Sequence, residues 1–272
     1  MGRLVFIDFD GTLADRGVIP PAHIEAVHAA QHRGHRIMLC TGRPRALVSD
    51  QNRAIFDGLV GAAGGYVELD GQVLSDRRFS PELGARVVGL LDAHNVAYIL
   101  EAPEGVYARA GSPERISALL QVELGEAETG RTGHDITSTV QVVDDPGSIA
   151  FSKVTCFDSN IPIAQLAAQL SPEVGLVPSS MAALGDRAGE LYLADVNKSV
   201  GMAVVAEHYG VDRSQLIAIG DGFNDLEMLQ YADTAVAIAG SPESVLALAD
   251  FVVPPPAEAG LVEGFARLGL TA

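Results

Sequence analysis

An alternation of strands and helices opens this chain, breaks off near residue 80 and resumes after Gly185. Strands that alternate with helices require right-handed crossovers and a parallel sheet. The interruption therefore reads as an insert within one α/β core. The first half predicts a buried strand from Arg3 to Phe9, a helix from about Pro21 to His32 closed by Gly34, and a strand from His35 to Cys40. Pro44 is placed to open the next helix, where its missing N–H costs nothing. The second half predicts a strand at Leu191 to Ala194, a helix from about Asn197 to Tyr209 and a strand at Leu216 to Ile219. A helix around Asp225 to Gln230 and a strand at Thr234 to Ile238 follow.

Between Leu59 and Ser80 the strands are short, and Asp70-Gly71 supplies a hairpin turn between Tyr66 to Leu69 and Gln72 to Leu74. A helix from about Pro81 to His94 starts a middle stretch of α+β character that runs to Leu184. Pro254 to Pro256 reads as a rigid turn before a C-terminal helix. The expected fold class is α/β: a doubly wound, Rossmann-like parallel-sheet core from residues 1–80 and 186–272, with an inserted domain at 81–185.

Hydrophobic residues make up 48% of the 272, enough for a substantial core. Eighteen basic residues against 35 acidic ones leave a net charge of -17, which repels nucleic acid and anionic membrane alike. An anionic substrate must then be met by local positive charge or a metal. Cys40 and Cys156 are too few for a disulfide framework and too far apart for a zinc pattern, in keeping with a reducing cytoplasm. No basic leader is visible, and no apolar stretch approaches the roughly 20 residues that span a bilayer. Oligomeric state stays open.

Asp8 and Asp10 end the first strand, with Gly11 and Thr12 behind them. Alternation places both carboxylates on one side, with Phe9 turned into the core. In an open α/β sheet ligands bind outside the carboxyl ends of the strands. Asp followed by Gly is also a common turn pair, so this motif alone is evenly balanced between the two readings. The strand at Leu216 to Ile219 shifts the balance, because it ends in Gly220-Asp221-Gly222-Phe223-Asn224-Asp225. Thr41 and Gly42 occupy the same edge of the second strand, at the start of a helix whose free N–H groups favour an anion, although Thr41 taken alone reads more simply as a plain N-cap. Lys198 opens a helix, where a cation opposes the dipole unless it faces an anionic ligand; the commoner fate of a lysine is a solvated surface position. Carboxylates, donors and a lysine on four edges suit Mg²⁺ better than a calcium cage.

In their order, DFDGT (Asp8 to Thr12), TGR (Thr41 to Arg43), Lys198 and GDGFND (Gly220 to Asp225) resemble the haloacid dehalogenase superfamily, specifically Cof-type phosphatases with a large α/β cap. The resemblance implies that Asp8 is the nucleophile and a metal ligand. It makes Asp10 the general acid and base, lending its backbone carbonyl to the metal, and Asp221 the remaining ligand, supported by Asp225. Thr41, the Gly42 amide and Lys198 would hold the phosphoryl group, joined by the Phe9 amide and Asn224. Arg43 faces the substrate or pairs with acidic surface. Asn197-Lys198-Ser199 and Ala239-Gly240-Ser241 depart from the family pattern without removing a charged group. The insert would be the cap, closing over the site.

The implied function is magnesium-dependent hydrolysis of a small soluble phosphate ester, a sugar phosphate or similar, through an aspartyl phosphate. A phosphomutase or phosphotransferase of the same fold is the alternative within enzymes, and a non-catalytic phospho-acceptor module the alternative outside them. A P-type pump is excluded by the missing span and by Asp10, where those pumps resemble one another in having Thr. His28, His32 and His35 read as a solvated helix face. Tyr98, Glu101, Arg109, His134 and Asp135 lie in the insert, and nothing in the sequence chooses among them.

Overall fold

A computed structural model describes residues 2–121, 137–179 and 182–271. His134 and Asp135 lie outside the described residues. In chain order the strands are β1 (Leu4–Ile7), β2 (Arg36–Cys40), β3 (Gly58–Gly61), β4 (Tyr66–Leu69), β5 (Gln72–Asp76), β6 (Ala97–Ala102) and β7 (Gly105–Ala108). They continue as β8 (Val140–Val142), β9 (Lys153–Asp158), β10 (Val174–Pro178), β11 (Gly189–Leu193), β12 (Leu216–Gly220), β13 (Thr234–Ile238) and β14 (Phe251–Val253). Two compact units result. One comprises Met1–Arg43, Val48–Asp76 and Asn197–Ala272; the other comprises Pro44–Leu47 and Arg77–Val196.

The first unit holds an eight-stranded sheet in the order β14-β13-β12-β1-β2-β3-β4-β5. It is parallel from β14 to β3, and the β4 and β5 hairpin extends it antiparallel. Chain order runs outward from β1 on both sides, through β2 and β3 one way and β12 to β14 the other. That reversal makes the end of β1 the switch point at which such sheets bind ligands. Strand residues bury alternately. Val5 and Ile7 join the cluster with Val27, Leu261 and Phe265, while Leu4 and Phe6 join the one with Met202, Val205 and Met228. Both faces are thereby covered, as a doubly wound sheet requires.

The Asp70-Gly71 hairpin forms as expected, with φ of 50° and 76° at its two central residues, the left-handed pair that a two-residue turn between strands needs. Helix Pro21–His32 also matches. The helix expected from Pro44 does not form. A 3₁₀ turn occupies Arg45–Leu47, and the helix proper is one turn, Asp50–Arg53. Ser49 is its cap, the Asn52 N–H donating to Ser49 Oγ at 3.2 Å, so Ser49 sets the start and Pro44 does not.

The second unit is built on a six-stranded sheet, β10-β11-β9-β6-β7-β8, antiparallel except between β7 and β8. Helix Pro81–Ala93 packs Leu83, Val87 and Leu91 against Tyr98, Leu100, Val154 and Leu191 of that sheet. This corrects the core range 186–272. The strand near Leu191 pairs antiparallel with β9 and β10, Leu191 opposite Val154, and so belongs to the inserted unit. The insert spans Arg77–Val196, beyond the expected 81–185, and the core resumes at Asn197. Among the described residues no helix is long and apolar enough to cross a membrane.

Candidate active site

Register between β1 and its neighbours brings the predicted motifs together. Ile7 stands opposite Leu39 of β2 and Ile219 of β12, and the Asp8 N–H donates to the Ile219 carbonyl at 3.0 Å. One step beyond each strand the chain therefore presents Asp8, then Thr41 on one side and Asp221 on the other. Thr12 Oγ1 donates to Asp221 Oδ1 at 2.6 Å, tying the DFDGT loop to the GDGFND loop. Gly11, with φ of +88°, fits beneath this contact because a Cβ there would lie 2.4 Å from Asp221 Oδ2.

Lys198 is fully buried and donates to Asp8 Oδ1 and, at 2.5 Å, to Asp225 Oδ1. Two features put it there. Asn197 caps the helix, its Oδ1 accepting from the Ser199 and Val200 amides at 3.0 and 3.3 Å. Gly64, with φ of +102°, lets the chain after β3 touch the helix start, since a Cβ would fall 2.0 Å from the Asn197 carbonyl oxygen. A lysine in the first turn opposes the helix dipole, and the two carboxylates offset that penalty. Burial alone would lower the ammonium pKa, but Asp225 and Asp8 prevail and hold it raised.

Asp225 is entirely buried, and its Oδ2 accepts from the Asp221 and Gly222 amides at 2.9 and 2.8 Å. Both of its oxygens are thus committed, one to the loop and one to Lys198. Asp8, Asp221 and Asp225 offer carboxylate oxygens within 4.8 Å of one another. Asp8 and Asp221 each use one oxygen in a hydrogen bond found among the described residues and leave the other available. Burial pushes Asp8 well above the usual carboxylate range, with Asp225 adding to the push and Lys198 opposing it. Burial likewise raises Asp221 to about 6, against the Thr12 hydrogen bond. Crowded anions held by one lysine in a buried site call for further positive charge. Hard oxygen donors without sulfur or nitrogen fit a magnesium ion.

The carboxylate of Asp10 is not in this cluster, contrary to the expectation that it would face the same spot as Asp8. The strand ends at Ile7, so alternation no longer applies, and Asp10 turns to Arg43. Nε and Nη2 of Arg43 donate to its two oxygens at 2.8 and 2.6 Å. The same guanidinium lies 4.7 Å from the centroid of the buried Phe9 ring. Thr41 is buried, and its Oγ1 accepts from the Arg43 N–H at 3.1 Å, a local loop bond in place of the helix start predicted for it. Gly42 adjoins Asn224, whose Nδ2 would meet a Cβ at that glycine at 3.5 Å.

The remaining candidates sit elsewhere. His28 and His32 are exposed, and His35 Nδ1 accepts from the Arg3 N–H at 3.0 Å. Within the inserted unit, Tyr98 donates to Asp92 at 3.1 Å and Arg109 pairs with the same carboxylate. Glu101 is buried beside Lys153 at 3.3 Å, and Lys153 reaches Glu190 at 3.0 Å. Sequence reading passed over this ion triad, because its members meet only through the pairing of β6, β9 and β11.

A family model for haloacid dehalogenase-like hydrolases matches residues 5–265. The chain belongs to that family. Among its relatives, it is 26% identical over 260 residues to the 5-amino-6-(5-phospho-D-ribitylamino)uracil phosphatase YitU of Bacillus subtilis, covering 91% of this chain and 90% of the other. It is 23% identical over 272 residues to a second phosphatase of that description, YwtE, from the same organism, covering 92% of each. The haloacid dehalogenase fold recurs in BT1666 from Bacteroides thetaiotaomicron, with a TM-score of 0.80 at 23% identity over 99% of this chain and 96% of that one. The subclass IIB sugar phosphatase BT4131 aligns with a TM-score of 0.79 at 22% identity, covering 98% and 99%. The family match and the named relatives together make this chain an enzyme, a phosphoric monoester hydrolase of the haloacid dehalogenase type.

Proposed function

We propose that this chain is a cytoplasmic, magnesium-dependent phosphatase that hydrolyses small phosphorylated metabolites, sugar or polyol phosphates, through an aspartyl phosphate on Asp8. One observation carries the reading: Asp8 stands at the switch point with one oxygen on Lys198 and within 4.8 Å of the Asp221 carboxylate. The named substrates of the relatives, a phosphoribityl compound and a sugar phosphate, support the substrate class.

Mg²⁺, when bound by Asp8, Asp221 and the main-chain carbonyl of Asp10, supplies positive charge against the phosphoryl oxygens. The chain's own residues do the rest. An Asp8 oxygen attacks phosphorus in line, so that an O–P bond forms as the bond to the leaving oxygen breaks. Asp10 gives that oxygen a proton and later takes one from the water that cleaves the acyl phosphate. Lys198, the Thr41 hydroxyl, the Phe9 and Gly42 amides and Asn224 provide positive charge and donors for the transferring group. Gly11 and Thr12 hold the nucleophile loop against Asp221, Asp225 fixes Lys198, and Arg43 orients Asp10. The inserted unit serves as the cap.

A rapid-quench experiment tests this. With Mg²⁺ and a labelled sugar phosphate, the wild type acquires an acid-stable acyl phosphate and releases inorganic phosphate. Asp8→Asn acquires none while keeping its circular dichroism. Turnover retained in Asp8→Asn, or undiminished in chelator, sinks the proposal.

A further inference from the structure

His23 is fully buried in helix Pro21–His32, yet it belongs to none of the motifs that carry the chemistry. Both of its ring nitrogens are engaged with main chain. Nδ1 lies 2.8 Å from the Leu13 carbonyl oxygen, and Nε2 lies 3.3 Å from the Leu261 nitrogen. A carbonyl can only accept and an amide N–H can only donate, so Nδ1 carries the proton and Nε2 is bare. The neutral imidazole in that one tautomer satisfies both partners at once. Burial favours the same neutral form by lowering the histidine pKa.

The two partners differ in what they hold. Leu13 ends the loop that carries Asp10. Its N–H donates back to the Asp8 and Phe9 carbonyls at 3.2 Å, and Ala14 N–H donates to Phe9 at 2.8 Å. Thr12, one residue earlier, holds Asp221. Leu261 lies in the first turn of helix Gly260–Arg267, whose N-cap, Ala259, has a φ of 58° and no side-chain cap. His23 caps that helix from outside and anchors the catalytic loop with its other nitrogen.

We propose that His23 is a positioning residue for the phosphatase reaction, its Nδ1–H fixing the Leu13 carbonyl and through it the loop bearing Asp8, Asp10 and Thr12. This rests on the phosphatase reading above. The helix contact at Nε2 serves stability, and the loop contact at Nδ1 serves turnover.

Two isosteres separate these roles. Asparagine places its amide where Nδ1 stands, so His23→Asn keeps the donor to Leu13 and loses the acceptor for Leu261. Glutamine places its amide near Nε2, so His23→Gln does the reverse. The probe is p-nitrophenyl phosphate with Mg²⁺, read for kcat and KM, with Tm from thermal unfolding. Expected is a kcat within about threefold of wild type for His23→Asn at a lowered Tm. For His23→Gln, kcat falls by about tenfold or more with KM little changed, at a Tm no lower than that of the asparagine variant. If kcat follows Tm across both variants, or is unchanged in both, His23 is merely structural and the assignment is overturned. Should the glutamine variant not fold, His23→Ala, which also removes the donor to Leu13, takes its place: a kcat about tenfold or more below that of the asparagine variant keeps the assignment, and equal kcat in the two ends it. Absence of turnover in the wild type is a separate result that sinks the phosphatase reading and this inference together.

Discussion

Arg43 clasps Asp10 through two parallel hydrogen bonds, 2.8 Å from Nε and 2.6 Å from Nη2, while its guanidinium lies over the Phe9 ring. The planar fork fixes the direction of the Asp10 carboxylate as well as its place, which a lysine cannot do. In the proposed mechanism that carboxylate hands over and retrieves a proton, so its aim matters more than its mere presence. Arg43→Lys keeps the charge and loses the fork. Displacing a reacting group by about 1 Å can cost on the order of 10²-fold, and kcat for a sugar phosphate is expected to fall by a similar factor. With p-nitrophenyl phosphate, whose leaving group needs little protonation, the formation of phosphoenzyme suffers less than its breakdown. Equal losses in both half-reactions, measured by burst kinetics, would count against a role through Asp10.

Lys198 sits at the centre of three buried charges. Removing one partner of a buried ion pair leaves the others uncompensated and typically costs about 3–5 kcal/mol. Lys198→Met exposes Asp8 and Asp225 to each other's field with nothing between them. Urea denaturation is expected to show a stability loss of that order, about 3 kcal/mol or more, alongside lost turnover. Adding Asp225→Asn to the methionine variant should recover part of the stability and none of the activity. Failure of the double variant to recover any stability would show that the repulsion is relieved some other way.

Much of this site was legible before the fold, for a physical reason. Asp8 and Asp221 follow apolar strands, and strand ends in a parallel sheet share one edge. Lys198 stood out because its place in a first turn conflicts with the helix dipole. Other features left no local signal. Leu191 alternates as well against one sheet as another, so its membership of β11 in the insert is decided by partners far away in sequence. Asp225 stands in the GDGFND run as a support for Asp221, and its Oδ2 does hold the Asp221 and Gly222 amides, but its bond to Lys198 joins residues 27 apart that share no local pattern. The turn of Asp10 toward Arg43 is a side-chain pairing across two loops, and His23 looks like any polar residue in an amphipathic helix.

Gly11 offers a sharper test of the loop. Its φ of +88° is strained for any residue with a Cβ, and that Cβ would lie 2.4 Å from Asp221 Oδ2. Gly11→Ala is expected to cost about 1–3 kcal/mol for the backbone alone and to push Asp221 away from Asp8. The half-saturating Mg²⁺ concentration for turnover should rise accordingly. Unchanged Mg²⁺ dependence in that variant would mean that Asp221 takes no part in holding the ion.

Titration of the acidic cluster gives the last prediction its direction. Burial raises Asp221 to about 6, and Asp8 is raised as well. A carboxyl with a raised pKa holds its proton more tightly in the folded chain than in the unfolded one, where its value is about 3.9. As pH climbs through that window the unfolded state gives up its proton first, and the metal-free protein loses stability. A cation shared by Asp8 and Asp221 competes with those protons, so its affinity falls as pH drops through about 6. Mg²⁺ in excess is therefore expected to raise Tm strongly at about pH 8 and barely at about pH 5. Asp221→Asn should flatten this contrast by removing the titrating group. The measurement is thermal unfolding across pH with and without Mg²⁺, and an equal shift at both ends of the range in the wild type would exclude the two carboxylates as the ion's ligands.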